Sequence, residues 1–527
     1  MKKKGIIVAI FFAVIMTTSL AAGVMLNRAP SSTNDSDLTV TGTPADNYPD
    51  AQRAQFCGSG IAKSTPFVKE YSIPTVCTNP LAIVTDYDGN VWFAETNTGK
   101  LGKFDPTTES FSEFNNPSWP KGGRSMMWGI DYSPDGSVWY TDEAYDSLWK
   151  FSPDTQKYQR VAYPSNGTSL PQRIQVDGSQ IIVNDFTGNK ITFLDPTESG
   201  NDLKYTSLPS PIDNSVTADF AIDAENNIWY TNWLFQEGGV LVKYDQTGFE
   251  KSINSNDDSR PLFDFIKIFA LPPELLTPNG AIVSDDGRIW LADTSSSHIF
   301  SFDPTSEVFT SYVTSDPQLV TYGNFTGIIK TPISRPYWID IDSDGRLVFN
   351  EQTSNVIAVM DLKSESLVEY SIPSKNPDWA DCGELSDCGL AQVFDFAIDG
   401  NKIWFTEWVE NNIGVVDTSV ALPLSIELNS DAVSLRAGES KNIDLIINSQ
   451  SGDDLSQISL VLSDSQDFLN VSSDSPKQFQ INSKESKTIP VEISVGNEAV
   501  AGTYKVLLGV QTYDVSISKF VTLTIEP

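Results

Sequence analysis

Seven positions in the sequence could carry acid–base or metal chemistry, because a carboxylate or an amide ends the same short apolar motif at each of them. These residues are Glu95, Asp142, Asp185, Asn232, Asp293, Glu351 and Glu407. If they converge, their like charges require a cation, and hard cations such as Mg²⁺ and Ca²⁺ take several oxygen ligands. The motif therefore predicts a Mg²⁺ or Ca²⁺ site, with Asp293, Glu351 and Glu407 as candidate ligands. Alternatively, each side chain accepts backbone hydrogen bonds in its own turn and binds no ion.

Aromatic and arginine side chains lie near these acids in sequence and could form a ligand-binding mouth with them. The candidates are Arg173, Asn279, Arg335, Tyr337, Trp338, Phe394 and Trp408. Aromatic rings stack on flat or cyclic groups, and arginine makes paired hydrogen bonds. The set predicts a site for a polar organic ligand, although each tryptophan could equally belong to the core of a sheet.

Acid–base catalysis has few candidates, because His298 is the only histidine in 527 residues. It lies in the predicted turn Ser295–His298, where it is either a general acid or base or an ordinary turn residue. Glu351 and Glu407 are the other catalytic candidates. With one histidine and four cysteines, a zinc site of the usual Cys/His spacing cannot form.

The elements that would position these residues repeat along the chain. The first residues of the motif, from Trp92 to Trp404, are 47, 43, 47, 61, 58 and 56 positions apart. This spacing is close to the roughly 40 to 50 residues of a four-stranded propeller blade, with longer loops in the second half. The sequence therefore predicts an all-β chain with a seven-bladed β-propeller over residues 56–421. Ligands are expected at the face that carries the turns after the second strands.

The ends of the repeat region predict how the ring closes. After Asp417 the seventh repeat lacks an outer strand, and the segment Phe67–Pro74 before the first repeat resembles Val368–Pro373 at the end of the sixth. We therefore predict that Phe67–Pro74 supplies the missing strand, which leaves no open sheet edge.

Residues 422–527 differ from the repeats in composition. Tryptophan disappears, serine, aspartate and asparagine increase, and short segments of alternating polarity follow one another. Roughly seven such segments separated by turn residues predict an immunoglobulin-like β-sandwich. Its expected role is that of a spacer or a contact to envelope proteins.

The N-terminus predicts export. Lys2, Lys3 and Lys4 precede an uncharged, mostly apolar run, so residues 1–29 read as a helical signal peptide or membrane anchor, and residues 30–55 as a flexible linker. We expect the protein at the extracellular face of the membrane, anchored or secreted. The net charge of −34 would repel phosphate backbones, so a nucleic-acid partner is not expected.

Export permits disulfides, and the four cysteines allow three pairings. The predicted bonds are Cys57–Cys77 and Cys382–Cys388. Pairing of Cys77 with Cys382 or Cys388 is the alternative, because both loops are expected beside the ring closure.

Residues 66–417 resemble the virginiamycin B lyase (streptogramin lyase) family, most closely in the stretch Ile403–Gly414, which reads IWFTEWVENNIG. The resemblance implies a seven-bladed propeller that opens a cyclic depsipeptide by elimination, with Mg²⁺ and a histidine base just before a first strand. In this chain no histidine stands at that place in any repeat. The residues there are Leu81, Trp128, Gln172, Ala218, Asn279, Tyr337 and Phe394.

Three functions follow from these observations. The first is a membrane-tethered propeller that binds a small polar ligand, a surface glycan or a peptide at an acidic and aromatic mouth. The second is a Mg²⁺-dependent lyase or lactone-opening enzyme that uses a carboxylate or His298 as base. The third is a structural cell-surface protein whose two domains pack against envelope partners.

Overall fold

The computed structural model describes Gly58 and residues 61–120, 125–165, 169–177, 180–195, 205–234, 238–254, 262–317, 333–377 and 388–527. The predicted signal or anchor segment and the linker lie outside these residues. So do Cys57 and Cys382, while Cys77 and Cys388 are each disulfide-bonded, so the pairing itself stays a prediction. Within the described part of the chain, no helix is both long and apolar enough to cross a bilayer.

Four-stranded antiparallel sheets follow one another along the repeat region, preceded by the single strand β1 (Val68–Ser72). The first two sheets are β2 (Pro80–Thr85), β3 (Val91–Glu95), β4 (Lys100–Asp105) and β5 (Ser110–Asn115), then β6 (Ile130–Tyr132), β7 (Val138–Asp142), β8 (Ser147–Ser152) and β9 (Lys157–Ala162). The next two are β10 (Pro171–Asp177), β11 (Gln180–Asp185), β12 (Lys190–Leu194) and β13 (Tyr205–Pro209), then β14 (Val216–Ile222), β15 (Asn227–Leu234), β16 (Gly238–Asp245) and β17 (Ile266–Ala270). Helix α1 (Gln246–Asn254) and a 3₁₀ turn (Leu262–Phe265) separate β16 from β17.

The later sheets keep this order. They are β18 (Pro278–Val283), β19 (Ile289–Asp293), β20 (His298–Asp303) and β21 (Val308–Val313), then β22 (Pro336–Ile341), β23 (Leu347–Glu351), β24 (Val356–Asp361) and β25 (Ser366–Ser371), and finally β26 (Val393–Asp399), β27 (Lys402–Glu407) and β28 (Asn412–Asp417). The first strands β2, β6, β10, β14, β18, β22 and β26 contact one another in sequence, and β26 contacts β2, so they form a closed ring. The chain is therefore a β-propeller, as the repeats predict.

The ring closes with the N-terminal strand. β1 pairs antiparallel with β28, from Val68 opposite Val416 to Ser72 opposite Asn412. The predicted closure is confirmed, and the last sheet gains its fourth strand from the start of the described chain.

The C-terminal unit consists of nine strands in two sheets. They are β29 (Leu424–Leu428), β30 (Ala432–Arg436), β31 (Ser440–Ser449), β32 (Leu455–Asp464), β33 (Leu469–Ser472), β34 (Gln478–Ile481), β35 (Ser486–Val495), β36 (Gly502–Gln511) and β37 (Val515–Glu526). One sheet has the order β29-β31-β35-β33, and the other contains β37, β36, β32 and β34, with β30 parallel to β37. The alternating apolar residues predicted for these strands, such as Ile443, Leu445 and Ile447, are buried.

The two units share a sheet. β37 pairs antiparallel with β25, the outer strand of a propeller sheet, from Ser366 opposite Lys519 to Tyr370 opposite Val515. Beside this seam Tyr312 meets Phe520 edge to face, with ring centroids 5.1 Å apart. The C-terminal unit thus covers the outer edge of a propeller sheet. A spacer that was joined to the propeller only by its linker would leave this edge uncovered.

Candidate functional site

The acidic motif ends are buried in their own sheets. All seven predicted residues are at most 1% exposed. Asp293 accepts hydrogen bonds from the Thr277 backbone N–H at 2.8 Å and from Ser296 Oγ at 2.8 Å, and Asp142 accepts one from Trp149 Nε1 at 2.8 Å. These are the local hydrogen bonds of the turn-cap interpretation.

The other motif ends also find partners nearby. Asp185 accepts hydrogen bonds from the Leu170 N–H at 2.8 Å and the Gly188 N–H at 2.9 Å. Asn232 donates to Ser215 Oγ at 2.7 Å. The three glutamates Glu95, Glu351 and Glu407 each contact another glutamate of the same sheet.

The structure does not bring the candidate metal ligands together. Asp293, Glu351 and Glu407 lie in three different sheets with separate hydrogen-bond partners. Among the residues that the structure describes, no three Asp, Glu, His or Cys side chains are grouped so as to hold a metal ion. The predicted ring of carboxylates around one ion is thus not the observed arrangement, because each carboxylate is turned into its own sheet.

Three of the aromatic residues predicted to bind ligand, Tyr337, Phe394 and Trp408, instead form a plug together with Trp128. Each is at most 3% exposed. Phe394 lies at the centre, with ring centroids 5.6 Å from Trp128, 5.8 Å from Tyr337 and 5.9 Å from Trp408. Gln172 Nε2 donates to Tyr337 Oη at 2.8 Å. The plug fills the ring where the first strands begin, which is the level of the predicted mouth.

Two further ligand candidates serve the packing between sheets. Asn279 is fully buried and donates to Thr294 Oγ1 at 2.7 Å. Arg335 is 4% exposed, and its Nε donates to the carbonyl oxygen of Thr294 at 3.1 Å. Both side chains therefore hold β18, β19 and the start of β22 together, away from solvent.

A water-accessible channel lies on the other side of the plug. Its volume is about 670 Å³, and its walls run from the middle of the first strands to the turns that follow them, where Tyr87, Asp342 and Ser343 form part of the rim. All seven sheets of the ring contribute to the wall. The open cavity is therefore at the face opposite to the predicted mouth.

Arg173 is the charged centre of this channel, and it is the one predicted ligand residue that lines the channel. Its Nη1 lies 3.5 Å from Asp395 Oδ1, and its Nε lies 3.9 Å from Asp219 Oδ1. The guanidinium group stacks over the Trp338 ring at 5.1 Å, which joins the channel to the residues around the plug. The Arg173 side chain is 29% exposed, so water in the channel reaches it.

Four aspartates surround Arg173, and each is fixed by a backbone hydrogen bond. Asp395 accepts from the Ile83 N–H at 3.1 Å, Asp131 from the Val176 N–H at 2.6 Å, Asp219 from the Phe220 N–H at 2.9 Å and Asp340 from the Ile341 N–H at 2.8 Å. Two of these bonds link neighbouring sheets. The side chains are thus held in place before any ligand arrives.

Burial dominates the acidity of these groups. It raises the pKa of Asp219 to about 7 and that of Asp395 to about 6, although the Arg173 charge acts in the opposite direction. Burial also raises the pKa of Asp131 and of Asp340. For Arg173, burial would lower the pKa, but the four aspartates raise it above its ordinary value. Near neutral pH the channel therefore holds one fixed cation and carboxyl groups that are partly protonated.

The rim adds acidic and aromatic side chains. Exposed acids in or beside the turns between first and second strands are Asp88, Asp135, Glu225, Asp285, Asp286, Asp344 and Asp399. Three of them pair with a cation: Asp135 with Lys150, Asp286 with Arg288, and Asp344 with Arg346. Tyr87 is 74% exposed and meets Tyr132 edge to face at 5.2 Å. An acidic and aromatic mouth is thus present, on the face that the sequence did not predict.

The four aspartates around Arg173 were missed by the sequence analysis, although a signal existed. Asp219 and Asp395 interrupt mostly apolar first strands, and an acid inside a buried strand needs a partner. Asp131 and Asp340 occupy equivalent registers, each opposite the first residue of the next motif.

His298 is half-buried at the start of β20 and does not line the channel. Burial lowers its pKa. It stands opposite Asp293 in the strand register, and its role in acid–base chemistry stays a prediction.

Comparison with known proteins finds similarity among solved structures. No protein-family model matches the chain, and no curated protein sequence matches it significantly. Among solved structures, virginiamycin B lyase from Staphylococcus aureus is similar, with 19% identity, a TM-score of 0.49, and coverage of 66% of this chain and 98% of that one. A β-propeller domain of Cps50 (Swd1) from Myceliophteria thermophila is similar with 10% identity and a TM-score of 0.39, covering 66% of this chain and 97% of that chain.

Proposed function

We propose that this chain is an exported, membrane-tethered, seven-bladed β-propeller with an immunoglobulin-like C-terminal domain, and that it binds a small basic ligand in the channel around Arg173. The ligand class is an amine or guanidinium compound, or a peptide that inserts a lysine or arginine side chain. The observation that carries this proposal is a pre-formed channel in which four fixed aspartates surround a single arginine.

The size and charge of the channel support a basic ligand. Binding cavities for small molecules have volumes of roughly 300 to 1,000 Å³, and this channel has about 670 Å³. Four carboxyl groups outnumber the one guanidinium group, so ionised aspartates remain to pair with a second cation. Tyr87 at the rim offers a ring face to the same cation.

Lyase chemistry is not part of the proposal. The sequence places no histidine before any first strand, and Tyr337 and Phe394, which stand at two of those places, are packed inside the plug. A base acts only within hydrogen-bond reach of the proton that it removes. The buried plug gives a substrate no such approach in this structure.

Isothermal titration calorimetry with arginine amide and spermidine as probes tests the proposal at pH 8. Wild-type protein is expected to bind both, and Asp219→Asn and Asp340→Asn are each expected to weaken binding by roughly tenfold, since each removes a carboxylate of the channel wall. Asp285→Asn is the matched control, because Asp285 is an exposed acid of the same face that does not line the channel.

Two results would contradict the proposal. Absence of heat with either probe would show that the channel takes no basic ligand. Equal affinity for an uncharged sugar, unchanged in Asp219→Asn, would show that the acids do not select the ligand.

A further inference from the structure

Three of the seven second strands end in glutamate, and each of these glutamates contacts a second glutamate in the outer strand of its sheet. The pairs are Glu95 with Glu113, Glu351 with Glu369, and Glu407 with Glu70. Within each pair the two carboxyl groups are close enough to interact directly. The Oε1 atom of each second-strand glutamate is buried and has no hydrogen-bond donor.

The strand between the two glutamates carries a small residue in all three sheets. The outer-strand glutamates stand opposite Gly102, Ala358 and Gly414. In the other four sheets the same register pairs Trp149 with Arg160, Thr192 with Ser207, Val242 with Ile268, and Phe300 with Ser311. A glutamate on the second strand, a small residue on the third and a glutamate on the outer strand therefore occur together or not at all. This pattern indicates that the pair is one functional unit.

Packing requires the glycine in two of the three sheets. A Cβ atom added at Gly102 would lie 2.0 Å from Phe93 Cζ, and one added at Gly414 would lie 2.2 Å from Phe405 Cζ. A larger residue cannot fit without moving these rings.

The outer-strand glutamates accept hydrogen bonds that favour their charged form. Glu369 accepts from the Ser315 N–H at 3.0 Å, and Glu70 accepts from the Ser374 N–H at 2.9 Å and the Lys63 N–H at 2.7 Å. Two carboxyl groups in hydrogen-bonding contact need a proton between them, because an ionised carboxylate only accepts. The second-strand glutamate is left to carry it.

Burial supports this assignment. It raises the pKa of Glu95 to about 8, and it raises the pKa values of Glu351 and Glu407 well above their ordinary value, with the neighbouring glutamate as a further cause. Because these pKa values are higher than in an unfolded chain, stabilisation is full at low pH and is lost as the pH rises through the folded value.

We propose that each glutamate pair shares one proton, donated by the second-strand glutamate to the outer-strand carboxylate, and that the three pairs form a pH-sensitive clamp at the ring closure. The pairs occupy three neighbouring sheets, of which one is closed by β1 and one carries the C-terminal unit through β25. Loss of the protons would leave two anions in contact in each of these sheets and loosen the sheets selectively.

Other charged groups near the pairs do not cancel this effect. They are Lys100 at the first pair, Asp316, Lys375 and Asp514 at the second, and Lys63 and Glu410 at the third. Lys100 Nζ lies 3.4 Å from Glu113 Oε1 and stabilises the charged partner of the first pair. The acids at the other two pairs favour retention of the proton.

Hydrogen exchange of the full chain, corrected for the pH dependence of the chemical exchange rate, tests the clamp. Because the pKa of Glu95 is raised to about 8, protection of amides in β3 and β4 is expected to fall by at least roughly tenfold between pH 6 and pH 9 relative to β15 and β16, whose sheet has no glutamate pair. In Glu95→Gln the amide group donates the same hydrogen bond at every pH, so the selective loss should disappear. Glu225→Gln, at an exposed turn, is the control and should behave as wild type.

Several outcomes would overturn the clamp. These are a uniform loss of protection in all sheets, no loss in wild type, or a selective loss that persists in Glu95→Gln. If Glu95→Gln does not fold, Glu113→Gln, which replaces the other carboxyl group of the same pair, gives the same test with the same reporting strands. A protection change that depends on added Ca²⁺ at fixed pH, and is reversed by EDTA, would assign the pairs to a metal ion instead of a proton.

Discussion

At the residue scale, Arg173 sets the charge balance of the channel. Its guanidinium group is the cation that the surrounding aspartates face, and it lies within 4 Å of two of them. Removing one partner of a largely buried charged group leaves the others without compensation. Arg173 therefore links the sheets of the ring through its ion pairs, and its guanidinium group contacts the aspartates in the way that is proposed for the ligand.

Replacing Arg173 provides a chemical-rescue test. Arg173→Ala should lower the free energy of unfolding by about 2 kcal/mol at pH 8, because aspartates that are ionised at this pH lose their cation. Millimolar guanidinium ion should restore part of this loss, measured by urea unfolding. Arg288→Ala, which removes an exposed arginine paired with Asp286 at 3.0 Å, should show neither effect. Equal responses of the two variants would contradict a cation site at Arg173.

The plug makes a second prediction at this scale. Phe394 is 1% exposed and touches three other aromatic rings, so Phe394→Ala should cost about 3 to 5 kcal/mol of stability in urea unfolding. Phe263→Ala, at a site that is 53% exposed, should change stability by no more than about 0.5 kcal/mol. A small effect of Phe394→Ala would show that the plug is not packed as described.

At the element scale, the repeated motif could be predicted because it recurs as a short apolar strand that is buried throughout. The closure by β1 could be predicted because Phe67–Pro74 resembles the end of the sixth repeat. The location of the channel around Arg173 could not be predicted from the sequence. In six sheets the register shifts between the start of the first strand and its remainder. Such a bulge interrupts the alternation of side chains between the two faces of the sheet. A pattern read from the start of the strand therefore assigns later residues, such as Asp219 and Asp395, to the wrong face.

Truncation tests the closing strand. Deleting residues 1–74 removes β1 and exposes the edge of β28, so the protein should aggregate in light scattering at concentrations where the full chain is monodisperse. Deletion of residues 1–55, which leaves β1 intact, should have no such effect. If both shortened chains behave alike, β1 does not stabilise the ring.

The pairing of β37 with β25 gives a parallel prediction. A chain ending at residue 421 loses the partner of β25 and uncovers Tyr312, which is 3% exposed in the full chain. Its melting temperature should fall, and it should bind a dye specific for exposed apolar surface. A tail that acted only as a spacer could be removed without either change.

At the scale of the whole molecule, the net charge of −34 and the acids of the rim act together on a cationic ligand. Such a field speeds the approach of cations, and added salt screens it. Composition alone argued against a nucleic-acid partner, but it could not show where the negative charge acts. That required the closed ring, which brings Asp131 and Asp395 together from sequence positions 264 apart.

Salt dependence follows from this field. The association rate of arginine amide, measured by stopped-flow fluorescence of the tryptophans, should fall severalfold between about 0.02 M and 0.5 M NaCl, whereas the dissociation rate should change little. A salt-independent association rate would mean that the molecular charge does not guide the ligand.

The most direct test of the channel as a basic-ligand site is the proton balance of binding. Because the pKa of Asp219 is raised to about 7 and that of Asp395 to about 6, a cation that binds at pH 6.5 should displace protons from them. Calorimetry of arginine amide binding in two buffers of different ionisation enthalpy should therefore show net proton release at pH 6.5, much less at pH 8.5, and a reduced release in Asp219→Asn. Binding without proton release at pH 6.5, or release that is unchanged in Asp219→Asn, would contradict a ligand site at these aspartates.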